Sequence, residues 1–334
     1  MKIAIVGAGV AGSYLLNRLD GHQVECFEMR PQDKWYTVCA WGTSQPYISE
    51  MVKKTGLNFD DYVLHKGKKM TVDTGHGTFD IKLSGLVSYD KHRLCEDMLK
   101  GKTMHWGAQV KQLDAKFDDF DLVVDATGMQ RALLPKIKDD IIVPCVEYQV
   151  KSKKFPWDDF YIKPYHGLTG YLWYFPLGEG MAHIGAGELH GGYKGELEAM
   201  LKKYDCEVIR KIGRPVRIVP PAYCQPFYEG KVVGVGESIG TVFPMLGEGI
   251  IPSMQCAEMF IENIDDLGAY SEEVLKRTDI YAKVFRFVKS KMDDNFSIMR
   301  NFPELLSVYL YMHKNERRFG LQTRLSDLMK LANA

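Results

Sequence analysis

Gly7, Gly9 and Gly12 stand at the G-x-G-x-x-G spacing, directly after the apolar run Ile3 to Val6 and before a helical pattern of Tyr14, Leu15, Leu16 and Leu19. Their chemistry is that of the backbone. Gly7 permits the tight turn, Gly9 lets a pyrophosphate approach the main chain, and Gly12 lets helix and strand pack closely. The phosphates would lie at the positive end of the helix. A second strand-like run, Gln23 to Glu28, ends in an acid 21 positions after Gly7. That carboxylate is placed to accept hydrogen bonds from ribose hydroxyls and to disfavour a 2′-phosphate. The glycine spacing alone is weak, but strand, helix, strand and acid in register specify a dinucleotide site.

Three further groups could do chemistry. Cys39 lies between aromatic residues in 31–50, a stretch with no helical period that includes Pro31, Gly42 and Pro46 and reads as a long ordered loop. Tyr171, Trp173 and Phe175 alternate in G-Y-L-W-Y-F-P, so they share one strand face while Leu172 and Tyr174 take the other. Such a stripe serves either as plain core or as the wall of a ligand cavity, where ring faces stabilise nearby positive charge. Pro244, Gly247 and Gly249 precede a helical run starting at Ile251, whose N-terminus would favour negative charge. His166 and His183 flank the aromatic stretch and could act as acid or base, yet each reads as a surface or satisfied structural histidine. Cys39 is either a proton donor or a structural residue. Cys26, Cys95, Cys145, Cys206, Cys224 and Cys256 read as structural.

The elements that must position these residues belong to an α/β chain of about two domains, given 334 residues. It is 46% hydrophobic and 26% charged with zero formal net charge, so no general attraction to nucleic acid is expected. No run approaches about 18 apolar residues. With no signal peptide expected, and seven cysteines lacking C-x-x-C, a reducing cytoplasmic setting without disulfides or zinc is expected. From 51 to 88 the pattern is a short helix followed by strands M-T-V-D-T, G-T-F-D-I-K-L and G-L-V-S-Y, read as a hairpin or two. Residues 89–101 read as a helix, Q-V-K-Q-L-D-A-K-F as a strand, and F-D-L-V-V-D-A-T-G as a buried strand ending at a ligand-side glycine turn. Residues 141–224 alternate strongly, with V-E-Y-Q-V, F-Y-I-K-P-Y, M-A-H-I-G-A-G-E and V-R-I-V-P-P-A-Y as antiparallel strands. The helical readings K-G-E-L-E-A-M-L-K-K-Y and E-V-I-R-K-I interrupt them. K-V-V-G-V-G returns to a parallel-type strand, and 271–334 are mostly helical. This gives a Rossmann-like binding domain (1–65, 86–140, 225–265) interleaved with an antiparallel-sheet substrate domain (66–85, 141–224), then a C-terminal helical region (266–334).

Four stretches in this order resemble the geranylgeranyl reductase family of FAD-dependent oxidoreductases, which groups with the p-hydroxybenzoate hydroxylase-type flavoproteins. They are G-A-G-V-A-G at the start, V-V-D-A-T-G at 123–128, G-Y-L-W-Y-F-P-L-G-E-G-M-A-H-I-G-A-G at 170–187, and G-V-G-E-S-I-G-T-V-F-P-M-L-G-E-G-I at 234–250. The resemblance implies FAD held by Gly7, Gly9, Gly12, Glu28, Met29, Arg30, Cys39, Ala40, Lys91, Val110, Ala126, Thr127, Gly128, Gly236, Glu237, Pro244, Gly247, Gly249 and Ile250. It puts the helix that begins at Ile251 against the flavin pyrimidine, and implies catalysis with Cys39, Tyr171, Trp173 and Phe175 around a double bond. Two departures stand out. Glu237 replaces the family's ribityl-binding aspartate, and Lys91 stands where an arginine is usual near the FAD phosphates.

The implied activity is saturation of a geranylgeranyl or similar isoprenoid chain by hydride from reduced flavin, with ferredoxin or NAD(P)H as external donor and at most peripheral membrane contact. Two alternatives stay open. Y-L-W-Y-F-P also resembles the W-x-W-x-I-P stretch of flavin halogenases, which implies an oxygen-dependent enzyme of an aromatic substrate. The fold also occurs in non-catalytic carriers of prenylated partners.

Overall fold

The computed structural model describes residues 1–37 and 39–332; Val38, beside Cys39, lies outside them. The chain opens with β1 (Lys2–Val6), α1 (Val10–Arg18), β2 (Gln23–Glu28), β3 (Gly42–Ser44) and α2 (Gln45–Lys53). Next come β4 (Val63–Lys66), β5 (Lys69–Asp73), β6 (Thr78–Lys82), β7 (Leu86–Tyr89), α3 (Lys91–Leu99), β8 (Thr103–Trp106) and β9 (Leu122–Asp125). The middle of the chain supplies β10 (Ile142–Val143), β11 (Cys145–Lys151), β12 (Phe160–Pro164), β13 (Gly170–Gly178), β14 (Met181–Glu188), α4 (Lys194–Lys203), β15 (Glu207–Gly213) and β16 (Val216–Arg217). After β17 (Tyr228–Glu229) and β18 (Val232–Gly234) the rest is helical: α5 (Ile250–Glu262), α6 (Leu267–Arg277), α7 (Asp279–Met292), α8 (Ile298–Lys314), α9 (Glu316–Phe319) and α10 (Leu325–Ala332).

Two large sheets organise this material. The first runs β17-β18-β9-β1-β2-β8 and is parallel except for the β17–β18 hairpin. Its central strand, β1, is wholly apolar from Ile3 to Val6 and buried, as a strand covered on both faces must be. The second sheet runs β15-β11-β14-β13-β12-β5-β6. One of its faces packs Tyr148, Val150, Leu172, Tyr174 and Ile184 against Leu197 and Met200 of α4. Strand register then fixes the opposite face. Tyr171, Trp173 and Phe175 lie across from Gly187, Gly185 and His183, and those lie across from Cys145, Glu147 and Gln149. In the C-terminal region, α7, α8 and α9 bury Phe287, Leu305, Val308 and Phe319 with Phe160 and Phe243. The chain then returns to the strands, with Ser84 and Leu86 amides donating to the Gly320 carbonyl and the Gln322 amide to Lys82.

Several sequence expectations are corrected. Residues 31–50 are not one long loop, because β3 and the start of α2 lie within them; Pro46 stands at the head of α2, where its missing N–H costs nothing. Q-V-K-Q-L-D-A-K-F forms no strand, and β2 pairs instead with the unremarked β8. E-V-I-R-K-I is the edge strand β15, not a helix. Its backbone pairs with β11, and Val208 and Ile209 stand exposed on it. V-R-I-V-P-P-A-Y contributes only the two-residue β16.

The glycines of the first turn give a sharp expectation. A Cβ on Gly12 would stand 1.8 Å from the Gly7 carbonyl oxygen, whereas one on Gly9, at φ −75°, would meet nothing within 4 Å. Gly12→Ala should cost about 3 kcal/mol or more in urea denaturation, and Gly9→Ala about 1 kcal/mol or less. Equal losses would show that helix–strand contact is not what requires glycine at position 12.

Candidate functional site

The site is assembled where the turns of the first sheet meet the polar face of the second. Gly7 is left-handed (φ +102°), and a Cβ there would lie 2.6 Å from the Ala126 carbonyl oxygen, so the turns after β1 and β9 touch through bare backbone. Gly9 caps α1 and opens onto free space, and the first amides of that helix have no partner within it. Glu28 is buried at the end of β2. One carboxylate oxygen accepts from the Ala8 amide at 2.9 Å and the other from the Arg30 amide at 3.0 Å, which fixes the turn against β2. Met29 is exposed next to it and Val110 is buried in the core.

The turn after β9 is built by its own aspartate. Asp125 accepts from the Thr127 amide and hydroxyl and from the Leu133 amide, at 3.1, 2.6 and 2.8 Å. The Thr127 hydroxyl in turn accepts from the Ala132 amide. Gly128 (φ +66°) is pressed by Arg214 and Glu237: a Cβ there would lie 2.6 Å from the Arg214 Nη2 and 3.0 Å from the Glu237 Oε2. The other Glu237 oxygen accepts from the Arg217 amide at 2.9 Å. Arg217 donates to Asp140 and to the carbonyls of Met129 and Glu237, and the buried Arg131 donates to the carbonyls of Pro135, Pro226 and Ser238. These arginines tie the β9 turn to the 236–239 turn. Gly236 (φ +77°) completes the contact, since a Cβ there would stand 3.0 Å from the Ala11 side chain.

Residues 243–250 carry the glycine turn that starts α5, with Pro244 and Ile250 buried, Gly247 at φ +60° and Gly249 at the cap. The helix start is less open than its sequence suggests. The Glu248 carboxylate accepts from the Ile251 amide at 3.0 Å and is paired with Arg318 of α9, a partner no local pattern indicates. This turn is joined to the aromatic wall, because the Tyr171 hydroxyl donates to the Leu246 carbonyl at 2.6 Å.

On the wall, the glycines of β14 make room for the rings. A Cβ on Gly185 would lie 2.3 Å from the Trp173 indole. Phe175 is less available than its neighbours, edge-packed on Phe160 at 4.8 Å and pressed against Gly42. Cys39 and Ala40 are partly buried, and Trp41 turns its ring edge onto His183 at 4.6 Å. His166 is a surface residue, as expected.

His183 is not the satisfied structural histidine expected. It is 1% exposed, and among the described residues neither ring nitrogen meets a partner in good hydrogen-bond geometry, although the Cys39 and Ala40 carbonyls face the ring. Glu147 lies beside it, 4% exposed, with Oε1 3.6 Å from the His183 Nδ1 and Oε2 unpartnered. Burial pushes the Glu147 carboxyl up to about 8 and the His183 imidazole down to about 4, so both are neutral at pH 7. Lys91 at the start of α3 is buried, and its charge acts on both groups. Among the described residues Tyr36 OH, Thr37 Oγ1, His92 Nδ1 and Trp173 Nε1, from the same loop and the elements around it, are also buried without partners. Orphaned polar atoms in such number mark a place where water or a bound group would complete the hydrogen bonding. Among the described residues no group of side chains has metal-ligand geometry.

No family model matches the chain. It is 26% identical to an uncharacterized protein of Methanocaldococcus jannaschii over 90% of this chain and 92% of that one. It is 22% identical to digeranylgeranylglycerophospholipid reductase 1 of Methanopyrus kandleri over 91% and 90%. In structure it is similar to a geranylgeranyl bacteriochlorophyll reductase-like protein of Thermoplasma acidophilum, with TM-score 0.73 and 14% identity over 98% of both chains. Flavin-dependent halogenases and oxygenases share the fold as well.

Glu147 yields a pH expectation. In the folded protein it keeps its proton up to about pH 8, while an unfolded chain releases it near 4.5. The native state therefore loses stability as pH rises through that window. Glu147→Gln keeps the shape without ionising, so its stability relative to wild type should climb between pH 4.5 and 8 and be level on either side. His183 titrates in both proteins and cancels. Thermal melts across pH check this, and a flat difference would mean the carboxyl ionises normally.

Proposed function

We propose that this chain, a flavoprotein oxidoreductase of the geranylgeranyl reductase type, saturates isolated double bonds of a prenyl glycerophospholipid with FAD as its cofactor. The observation that carries the reading is the aromatic face of β13, fastened by Tyr171 to the glycine turn of α5 and closed on its other side by the Cys39 loop. Reduced flavin supplies hydride, and the protein must bind, orient and keep the alkene dry.

The chain's own residues suit this division of work. The open backbone at Gly9 and the first turn of α1 would hold the pyrophosphate, and the free lone pairs of the Glu28 oxygens would accept from the ribose. Glu237, beside Gly128, is placed for the ribityl chain, with Arg214 as a neighbouring cation. Tyr171 and Trp173 offer ring faces to the cationic character that develops at an alkene carbon during hydride attack. Phe175, packed on Phe160, closes one end of the same face.

Named relatives that span nearly the whole chain are lipid reductases, which favours this reading over the halogenase and oxygenase likenesses, seen in fold alone. Among the described residues no helix is long and apolar enough to cross a membrane. Met299, Phe302 and Leu310 stand exposed along α8, the first at 92%, and suit peripheral contact with the bilayer that holds the substrate. Ferredoxin or NAD(P)H would supply electrons.

Two variants test the assignment. Gly9→Val should fold, since the added side chain meets open space, yet purify without FAD; full occupancy by extraction and chromatography would remove the pyrophosphate from this turn. Cys39→Ser should keep its flavin but slow anaerobic reoxidation by a digeranylgeranyl phospholipid about tenfold, roughly 1.4 kcal/mol at the transition state. Wild-type reduced flavin that ignores the lipid and instead consumes oxygen with an aromatic acid would turn the assignment to a monooxygenase.

A further inference from the structure

The Glu147–His183 cluster has no structural justification of its own. A buried carboxyl with an unpartnered oxygen costs free energy that an apolar residue would not, and a histidine with two unpartnered nitrogens adds to that cost. Both residues stand on the sheet face that carries Tyr171 and Trp173, under the Cys39 loop. Groups on every neighbouring element face Glu147: Trp173 from β13, His183 from β14, Lys91 from α3, the Cys39 amide and Tyr36 from the loop, and Cys145 from its own strand. Arg210 of β15 stacks over Tyr36 at 4.1 Å.

What these groups share decides the role. The Trp173 indole N–H and the Cys39 amide are donors turned toward the Glu147 carboxyl, and Lys91 is a cation beside it. None gains much from a neutral carboxyl, and all gain from a carboxylate. The surroundings are thus arranged for the state Glu147 reaches after losing a proton, while burial holds it in the protonated state beforehand. Stabilisation that appears only as charge develops is the signature of a catalytic acid.

We propose that Glu147 is the proton donor of this site, with His183 as the positioning residue that orients its carboxyl group. The inference rests on the reductase reading. Saturation of a C=C bond breaks the π bond and forms two C–H bonds. One takes a hydride, with its two electrons, from the reduced flavin. The other takes the proton of the Glu147 O–H bond, leaving a carboxylate that water reprotonates. Cys39 then lines the alkene, and its backbone amide steadies the carboxylate.

The test uses flavin-loaded wild type, Glu147→Gln, Glu147→Asp and His183→Asn. Infrared difference spectra of wild type against Glu147→Gln should show a protonated-carboxyl stretch at pH 7 that fades near pH 8; this needs no turnover. In single turnovers with a digeranylgeranyl phospholipid, the wild-type rate should fall above pH 8. Glu147→Gln should be at least thirtyfold slower and insensitive to pH, with flavin content and reaction with oxygen unchanged. Glu147→Asp should recover part of the rate with its pH limb moved lower, and His183→Asn should move the limb without abolishing turnover. A missing carboxyl signal at pH 7, or Glu147→Gln reducing the lipid at the wild-type rate, overturns the inference and leaves the reductase reading standing. A wild-type protein that reduces no prenyl alkene overturns both.

Discussion

Backbone approaches too close for any side chain set the geometry of this molecule. Gly12 against the Gly7 carbonyl seats α1 on β1, Gly7 against Ala126 joins two loops at the end of the first sheet, and Gly236 against Ala11 brings in the turn ahead of α5. The last two remove freedom between elements far apart in sequence. The first two are main chain to main chain and the third meets the Ala11 methyl, so none of them relaxes by a change of rotamer at these positions. The polar networks of Asp125, Arg131 and Arg217 then hold turns whose spacing the glycines have already fixed.

The second sheet follows the opposite logic. Its outer face is an ordinary aromatic core against α4, while its inner face sets glycines beside large rings and encloses a carboxyl and an imidazole that are only partly satisfied among the described residues. One end of the site is thus rigid and fully bonded, and the other is tense with unmet polarity. This matches a division between holding a large cofactor and handling a reacting substrate.

Sequence patterns carried the architecture well where they were local. The β1–α1–β2 unit reads directly, because each feature is set by neighbours within thirty residues, and β13 and β14 follow from simple alternation. E-V-I-R-K-I failed because its β-branched residues gain from strand pairing with β11, a partner a helical period cannot reveal. Glu147 failed for a related reason. Alternation shows that it opposes Tyr148 and Val150, but the sequence does not say that both faces of β11 are covered. His183 read as structural because a histidine's role depends on the groups across the sheet. Glu248 and Arg318 form a pair separated by seventy residues, beyond any local rule.

That last pair bears on the order in which the molecule becomes competent. The β1–α1 turn and the strands of both sheets are made before α9, yet among the described residues the acid at the start of α5 gains its ion-pair partner only when Arg318 arrives and the 320–322 segment is bonded beside β6 and β7. Until then, the carboxylate at that helix start lacks its cation. Completion of this helix start therefore waits on the latest-made segment, and a chain interrupted within α8 would lack both the ion pair and the part of the core that α8 and α9 share with Phe160 and Phe243.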